Sequence, residues 1–161
     1  MNQTEITEML EQLRIPWRIK EHPAAETIEQ IERFQLPGAE TIVKNLFLRD
    51  DKKRKYYLVV VRKDKTVNLK ELRQVLASRP LSFASENDLQ LYLDLKKGAV
   101  TPLGLLSDST HSVSLVLDAD ILKYPEIGVH PNANTATLWL SPQDLKSLIE
   151  KHGNPVLTVN M

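Results

Sequence analysis

A chain of 161 residues, 42% hydrophobic and 26% charged, fits one compact domain with a real core. Its twenty-one basic and twenty-one acidic residues cancel, which argues against a non-specific polyanion or DNA binder built on many phosphate contacts but leaves room for a protein that touches only a nucleic-acid end. The absence of cysteine excludes disulfides, thiolate nucleophiles and cysteine-ligated zinc.

The N-terminus, Met1 to Glu5, lacks the basic and apolar regions of a signal peptide. No apolar run nears the roughly 20 residues needed to cross a bilayer. A cytoplasmic protein with no membrane partner is therefore expected. Ile6, Met9, Leu10 and Leu13 recur at helical spacing and predict a first amphipathic helix, ended by Pro16. Trp17 to Lys20 alternates as a short strand. Thr27 with Gln30 three residues on is a capping-box signature ahead of Ile28, Ile31 and Phe34, and Leu36-Pro37-Gly38 stops that helix.

Thr41 to Arg49 reads as a strand and Tyr56 to Arg62 as its partner, joined by the polar connection Asp50 to Lys55. Asn68 with Glu71 starts a helix carrying Leu69, Leu72, Val75 and Leu76. Leu81 to Ala84 is a short strand, and Ser85 with Asp88 starts a helix carrying Leu89, Leu91, Tyr92 and Leu95. Gly98 to Asp108, with two glycines and a proline, reads as a loop of functional length. Val113 to Leu117, Ile127 to His130 and Thr135 to Leu140 read as strands. Ser141-Pro142 starts a last helix that runs to His152-Gly153, and Pro155 to Val159 is placed to close the sheet. Strands and helices interleave without strict βαβ repetition. The expectation is one mixed α/β (α+β) domain over residues 1–161, an antiparallel-rich mixed sheet flanked by helices.

Three stretches are candidates for chemistry. In Thr41 to Leu48, period-two geometry puts Lys44 on one face with Ile42, Leu46 and Leu48, and Asn45 on the other. A lysine among aliphatic neighbours either snorkels to water or holds its charge over a pocket that receives an anion. In Gly128 to Thr135, His130 sits on a polar turn between strands and can donate a hydrogen bond, act as acid or base, or cap the turn. Asn132 and Asn134 suit turn positions for structural reasons alone. In Gly98-Ala99-Val100-Thr101-Pro102, glycine permits close approach of the backbone to a ligand. No metal-ligand spacing, phosphate loop or serine elbow is present.

The order of Leu36-Pro37-Gly38, Lys44-Asn45-Leu46-Phe47-Leu48-Arg49-Asp50, Leu81 to Ser85, Gly98 to Pro102 and His130-Pro131-Asn132 resembles the YbaK/prolyl-tRNA synthetase editing-domain superfamily. Within it the chain is most similar to the free-standing PrdX, or ProXp-ala, group. The resemblance runs from about His22 to Leu148. It implies hydrolysis of alanine mischarged onto proline tRNA, in trans to a prolyl-tRNA synthetase without its own editing insertion. It also implies roles. Lys44 would hold the phosphate or ester region of the charged 3′ end, and His130 would position the aminoacyl or ribose end. The Gly98 to Pro102 loop, with Ala99 and Thr101, would bind the ester carbonyl through backbone N–H groups. Asn45, Asn132 and Arg49 complete the candidate substrate contacts.

No cofactor or metal is implied: an aminoacyl ester is already activated, so metal-free, substrate-assisted attack by one oriented water suffices. His22-Pro23-Ala24-Ala25 falls where part of the pocket wall is expected. Its small residues would widen the cavity, so cysteine or another small amino acid stays open beside alanine. A non-catalytic module that grips tRNA or a synthetase, and a small-molecule esterase, are the competing readings.

Overall fold

A computed structural model describes residues 1–161. The helices are α1 (Gln3–Gln12), α2 (Ile28–Glu32), α3 (Leu69–Leu76), α4 (Glu86–Leu93) and α5 (Pro142–His152). The strands are β1 (Arg18–Glu21), β2 (Val43–Asp50), β3 (Tyr56–Arg62), β4 (Leu81–Phe83), β5 (Val113–Asp118), β6 (Ile127–Val129), β7 (Ala136–Leu140) and β8 (Val156–Val159). The strands form two sheets where the sequence suggests one. A five-stranded sheet has the order β4-β2-β3-β5-β8, and a three-stranded antiparallel sheet has the order β1-β7-β6. In the larger sheet β4, β2 and β3 pair antiparallel, whereas β3, β5 and β8 run parallel.

Both faces of the larger sheet are covered, which explains why Tyr57 to Val61 is apolar without alternation. Val43, Phe47, Leu58, Val60, Leu115 and Leu117 face the main core, with α4, α5 and the smaller sheet. Leu48, Tyr57, Val59, Val61 and Val116 face Leu72 of α3 on the other side. A third cluster, Ala25, Ile31, Leu36, Ile42 and Trp139, packs α2 against the smaller sheet.

The caps form as their side chains dictate. Asn68 accepts from the N–H groups of Lys70 and Glu71, and Ser85 and Asp88 form a reciprocal box. At α2 the expected box is displaced by one residue. Thr27 accepts from the Gln30 N–H at 3.2 Å, but the Gln30 side chain accepts from the N–H of Glu26 at 2.6 Å. That helix is a single short turn and ends at Glu32, before Phe34. The segment after Gly98 is not an open loop: Pro102–Ser107 is a 3-10 helix whose first four residues are buried.

Beyond the shared core, one backbone bridge joins the two sheets. Ile42, just before β2, makes a parallel bridge to Gly128 of β6. A Cβ on Gly128 would lie 2.8 Å from Ile42 Cγ1 and 2.9 Å from Trp139 Nε1, so only glycine lets the sheets approach this closely.

Candidate active site

At this seam lies a cavity of about 190 Å³, smaller than the roughly 300–1,000 Å³ of sites that take drug-sized ligands. The start of β2 supplies Lys44 and Asn45, the turn after α4 supplies Gly98 and Val100, and β6 with its following turn supplies Gly128 and His130. Glu26, Thr27, Ile28 and Ile31 close it from the side of α2, and Thr137 lies on its floor. A second depression of about 300 Å³ adjoins it across Asn45, Gly98 and Val100.

The pairing of β2 with β3 is regular through Lys44↔Val61 and Asn45↔Val60, so no bulge disturbs the alternation. Residues Lys44 and Asn45 nevertheless both border the cavity. The Lys44 ammonium donates to the main-chain carbonyl of Lys65, in the turn leaving β3. It is thus neither a free surface charge nor held by an anion; two of its three donors remain. Asn45 Oδ1 is buried and has no donor. The resemblance puts Asn45 among the substrate contacts, and the structure leaves it with an unsatisfied acceptor at the cavity.

His130 Nδ1 lies 3.1 Å from the carbonyl of Ala136. A carbonyl only accepts, so Nδ1 carries the proton and Nε2 is left as an acceptor. Burial holds this imidazole below its ordinary 6.5; the Ala136 bond opposes that shift and His22 adds to it. The neutral ring is therefore favoured in the fold. As pH falls below 6.5 the unfolded chain takes up a proton first, so this residue's contribution to stability is lost from there down to the lowered folded value.

Gly98 has φ of +84°, and a Cβ there would lie 2.6 Å from Glu26 Cγ. The N–H of Ala99 is committed to the carbonyl of Lys96 at 3.1 Å. Gly98 and Val100, at the cavity wall, have N–H groups without a backbone partner.

Several candidates lie elsewhere. Ala99 is buried behind the wall. Thr101 is fully buried; its hydroxyl donates to the carbonyl of His130 at 2.6 Å and accepts from the Leu103 N–H, so it ties the glycine loop to the histidine turn. Pro102 begins the 3-10 helix. Asn132, in the left-handed region with φ of 59°, donates to the carbonyl of Met1 and does not border the cavity. Arg49 is paired with Asp88 at 2.6 Å. Burial and then the Asp88 charge push the neighbouring Tyr56 up to about 12. His22 to Ala25 do not form the wall either: His22 stacks on Phe34 and reaches Thr137 Oγ1 at 2.9 Å, while Ala25 is packed under α2.

Glu26, Ile28, Ile31, Gly128 and Thr137 line the cavity without a chemical motif of their own in the sequence. The cap at Thr27 marked the start of α2, and a glycine inside a strand marked close backbone approach. Neither signal says which distant segment is approached.

Residues 22–148 match the aminoacyl-tRNA editing domain. The chain belongs to this family. It is 43% identical over 152 residues to the prolyl-tRNA editing protein ProX of Acetoanaerobium sticklandii, covering 94% of this chain and 93% of that one. It is 37% identical to prolyl-tRNA synthetase associated domain-containing protein 1 of Danio rerio, covering 91% of this chain and 80% of that one. Among solved structures, hypothetical protein APE2540 superposes with a TM-score of 0.71 at 24% identity, over 96% of this chain and 98% of that one. A structure described as a candidate trans-editing enzyme for prolyl tRNA synthetase gives 0.71 at 22% identity, over 99% and 96%. These structural likenesses establish the fold. Family membership makes this editing domain an aminoacyl-tRNA hydrolase. No helix of the domain is long and apolar enough to cross a membrane.

Proposed function

We propose that this editing domain hydrolyses the ester of alanine mischarged onto proline tRNA, acting in trans beside a prolyl-tRNA synthetase in the cytoplasm. One observation carries the reading: Lys44 with Asn45, Gly98 and His130, from three distant stretches of sequence, border one small cavity at the seam of the two sheets. A synthetic site shaped for proline excludes smaller alanine only weakly, because small apolar differences are worth roughly 1–3 kcal/mol. A second, smaller cavity that admits alanine and rejects proline by overlap supplies the missing discrimination.

In this reading the alanyl group enters the cavity and the terminal nucleoside occupies the adjoining depression. The N–H groups of Gly98 and Val100 bind the ester carbonyl as negative charge develops on it. His130 Nε2 accepts a proton from the 2′-hydroxyl or from the attacking water. The water oxygen bonds to the carbonyl carbon, the ester C–O bond breaks, and the ribose oxygen leaves with a proton. Lys44 turns its remaining donors to the RNA phosphate at the rim.

The test is deacylation of proline tRNA charged with alanine, cysteine, serine or proline. Alanine is expected to be released fastest and proline spared. A preference for cysteine reassigns the substrate, and no release from any of the four overturns the reading. Because no group of three histidine or carboxylate side chains is placed to hold a metal ion, the rate is expected to be unchanged by EDTA; inhibition reversed by zinc would refute that.

With His130 as acceptor, kcat/KM is expected to fall on the acid side with a midpoint below 6.5. His130→Ala removes that limb and lowers the plateau by about 10²-fold. A pH profile identical in the variant would remove His130 from the reaction.

A further inference from the structure

An aminoacyl ester differs from most esters in carrying a protonated amine beside its carbonyl. On the cavity wall three groups have acceptor capacity that the protein does not fill. Asn45 Oδ1 is buried without a donor, His130 Nε2 is left as an acceptor by the bond at Nδ1, and Glu26 brings a carboxylate. Glu26 belongs to none of the ion pairs of the fold. The Lys44 ammonium does not neutralise it, because that group is bonded to the carbonyl of Lys65.

The placement of Glu26 is set from two sides. Its N–H is held by the Gln30 side chain at 2.6 Å. Its own side chain lies over Gly98, where a Cβ would come within 2.6 Å of Glu26 Cγ and 3.2 Å of Glu26 Cδ. The requirement for glycine at position 98 thus has a partner, and that partner ends in an anion at the cavity mouth.

We infer that Glu26, with Asn45 Oδ1, forms a subsite for the α-ammonium of the substrate's amino acid. This inference rests on the deacylase reading above and names a group of the substrate that reading leaves unassigned. An ammonium supplies three donors and a positive charge, which matches a wall of acceptors containing one carboxylate. The consequence is selectivity. A free aminoacyl ester is held with its carbonyl against Gly98, while an N-acylated ester, such as a peptidyl ester, carries no charge for Glu26 to bind and is cleaved only slowly.

The test compares alanyl-tRNA and N-acetylalanyl-tRNA of the proline isoacceptor as substrates for the intact chain, Glu26→Gln and Glu26→Asp. Glutamine keeps the packing against Gly98 and removes only the charge. It is expected to lower kcat/KM on alanyl-tRNA roughly 10–100-fold, mainly through KM, and to leave the slow N-acetylalanyl rate unchanged. Aspartate restores part of the preference. Equal loss on both substrates, or no loss on either, overturns the subsite. Calorimetric titration with 3′-alanylamido-3′-deoxyadenosine and its N-acetyl derivative separates the two proposals. If the chain releases no amino acid from tRNA yet binds the free amine in preference, and Glu26→Gln abolishes that preference, the deacylase reading falls and the ammonium subsite stands.

Discussion

Lys44→Ala is expected to lower kcat/KM for deacylation by ~10²–10³-fold, the range seen when one preorganised donor to developing or bound negative charge is removed. The fold should survive. Lys44 is half-buried near one end of β2, and its ammonium makes one hydrogen bond, to the carbonyl of Lys65. Losing that bond costs about 1 kcal/mol, which moves the melting temperature by only a few degrees in a domain of this size. Lys44→Arg should not restore full activity, because a planar guanidinium cannot take the place of a compact ammonium at the same site. Rates on alanyl-tRNA and a thermal melt on the same preparations check both halves. Unchanged turnover in Lys44→Ala would remove this residue from the mechanism.

Lys65→Met is expected to do the reverse, with a large effect on stability and a small one on chemistry. Lys65 Nζ lies 2.8 Å from Asp118 and 2.8 Å from Asp120, and donates to the terminal carbonyl of Met161 at 2.7 Å. Asp118 is fully buried at the end of β5, and its Oδ2 has no hydrogen bond besides this ion pair. Removing the lysine leaves a buried carboxylate without its cation, which costs about 3 kcal/mol or more, or roughly 6–12 °C in melting temperature. The Lys65 carbonyl that holds Lys44 belongs to the main chain and remains in the variant. Below its melting range, Lys65→Met should therefore retain kcat within about tenfold, far above the residual of Lys44→Ala. A melt unchanged within ~1 kcal/mol would show that the Lys65 ion pairs contribute little. A loss of kcat as deep as that of Lys44→Ala would show that the clamp sets the Lys44 ammonium directly.

The two residues are joined by one hydrogen bond and differ in what else they touch. Lys44→Ala is expected to test a charge at the cavity, and Lys65→Met a charge that pairs with buried Asp118. A third variant, Glu26→Gln, changes neither and tests the proposed ammonium subsite. Together the three are expected to separate effects on RNA binding, on stability and on recognition of the amino acid.

Local rules suffice for much of this chain. The caps at Asn68, Ser85 and Ser141 are set by side chains that reach the backbone within three residues, so they are legible in order along the sequence. The alternation that puts Lys44 and Asn45 on opposite faces follows from strand geometry, and the regular pairing of β2 with β3 keeps it. The motif order from His22 to Leu148 likewise carried the family, which matches residues 22–148. The division into two sheets, the 3-10 helix at Pro102–Ser107 and the inward Thr101 were not legible. Each depends on a partner far along the chain. The same holds for the site. Arg49 looks like an RNA contact until Asp88 is found 2.6 Å away, and exposed Glu26 carries no signal in the sequence until Gly98 is found beneath it. Sequence periodicity reports which face of an element is buried, because burial follows the local repeat. Which segments then meet at the seam between Ile42 and Gly128 is decided by packing between residues more than eighty positions apart, and no local pattern encodes that.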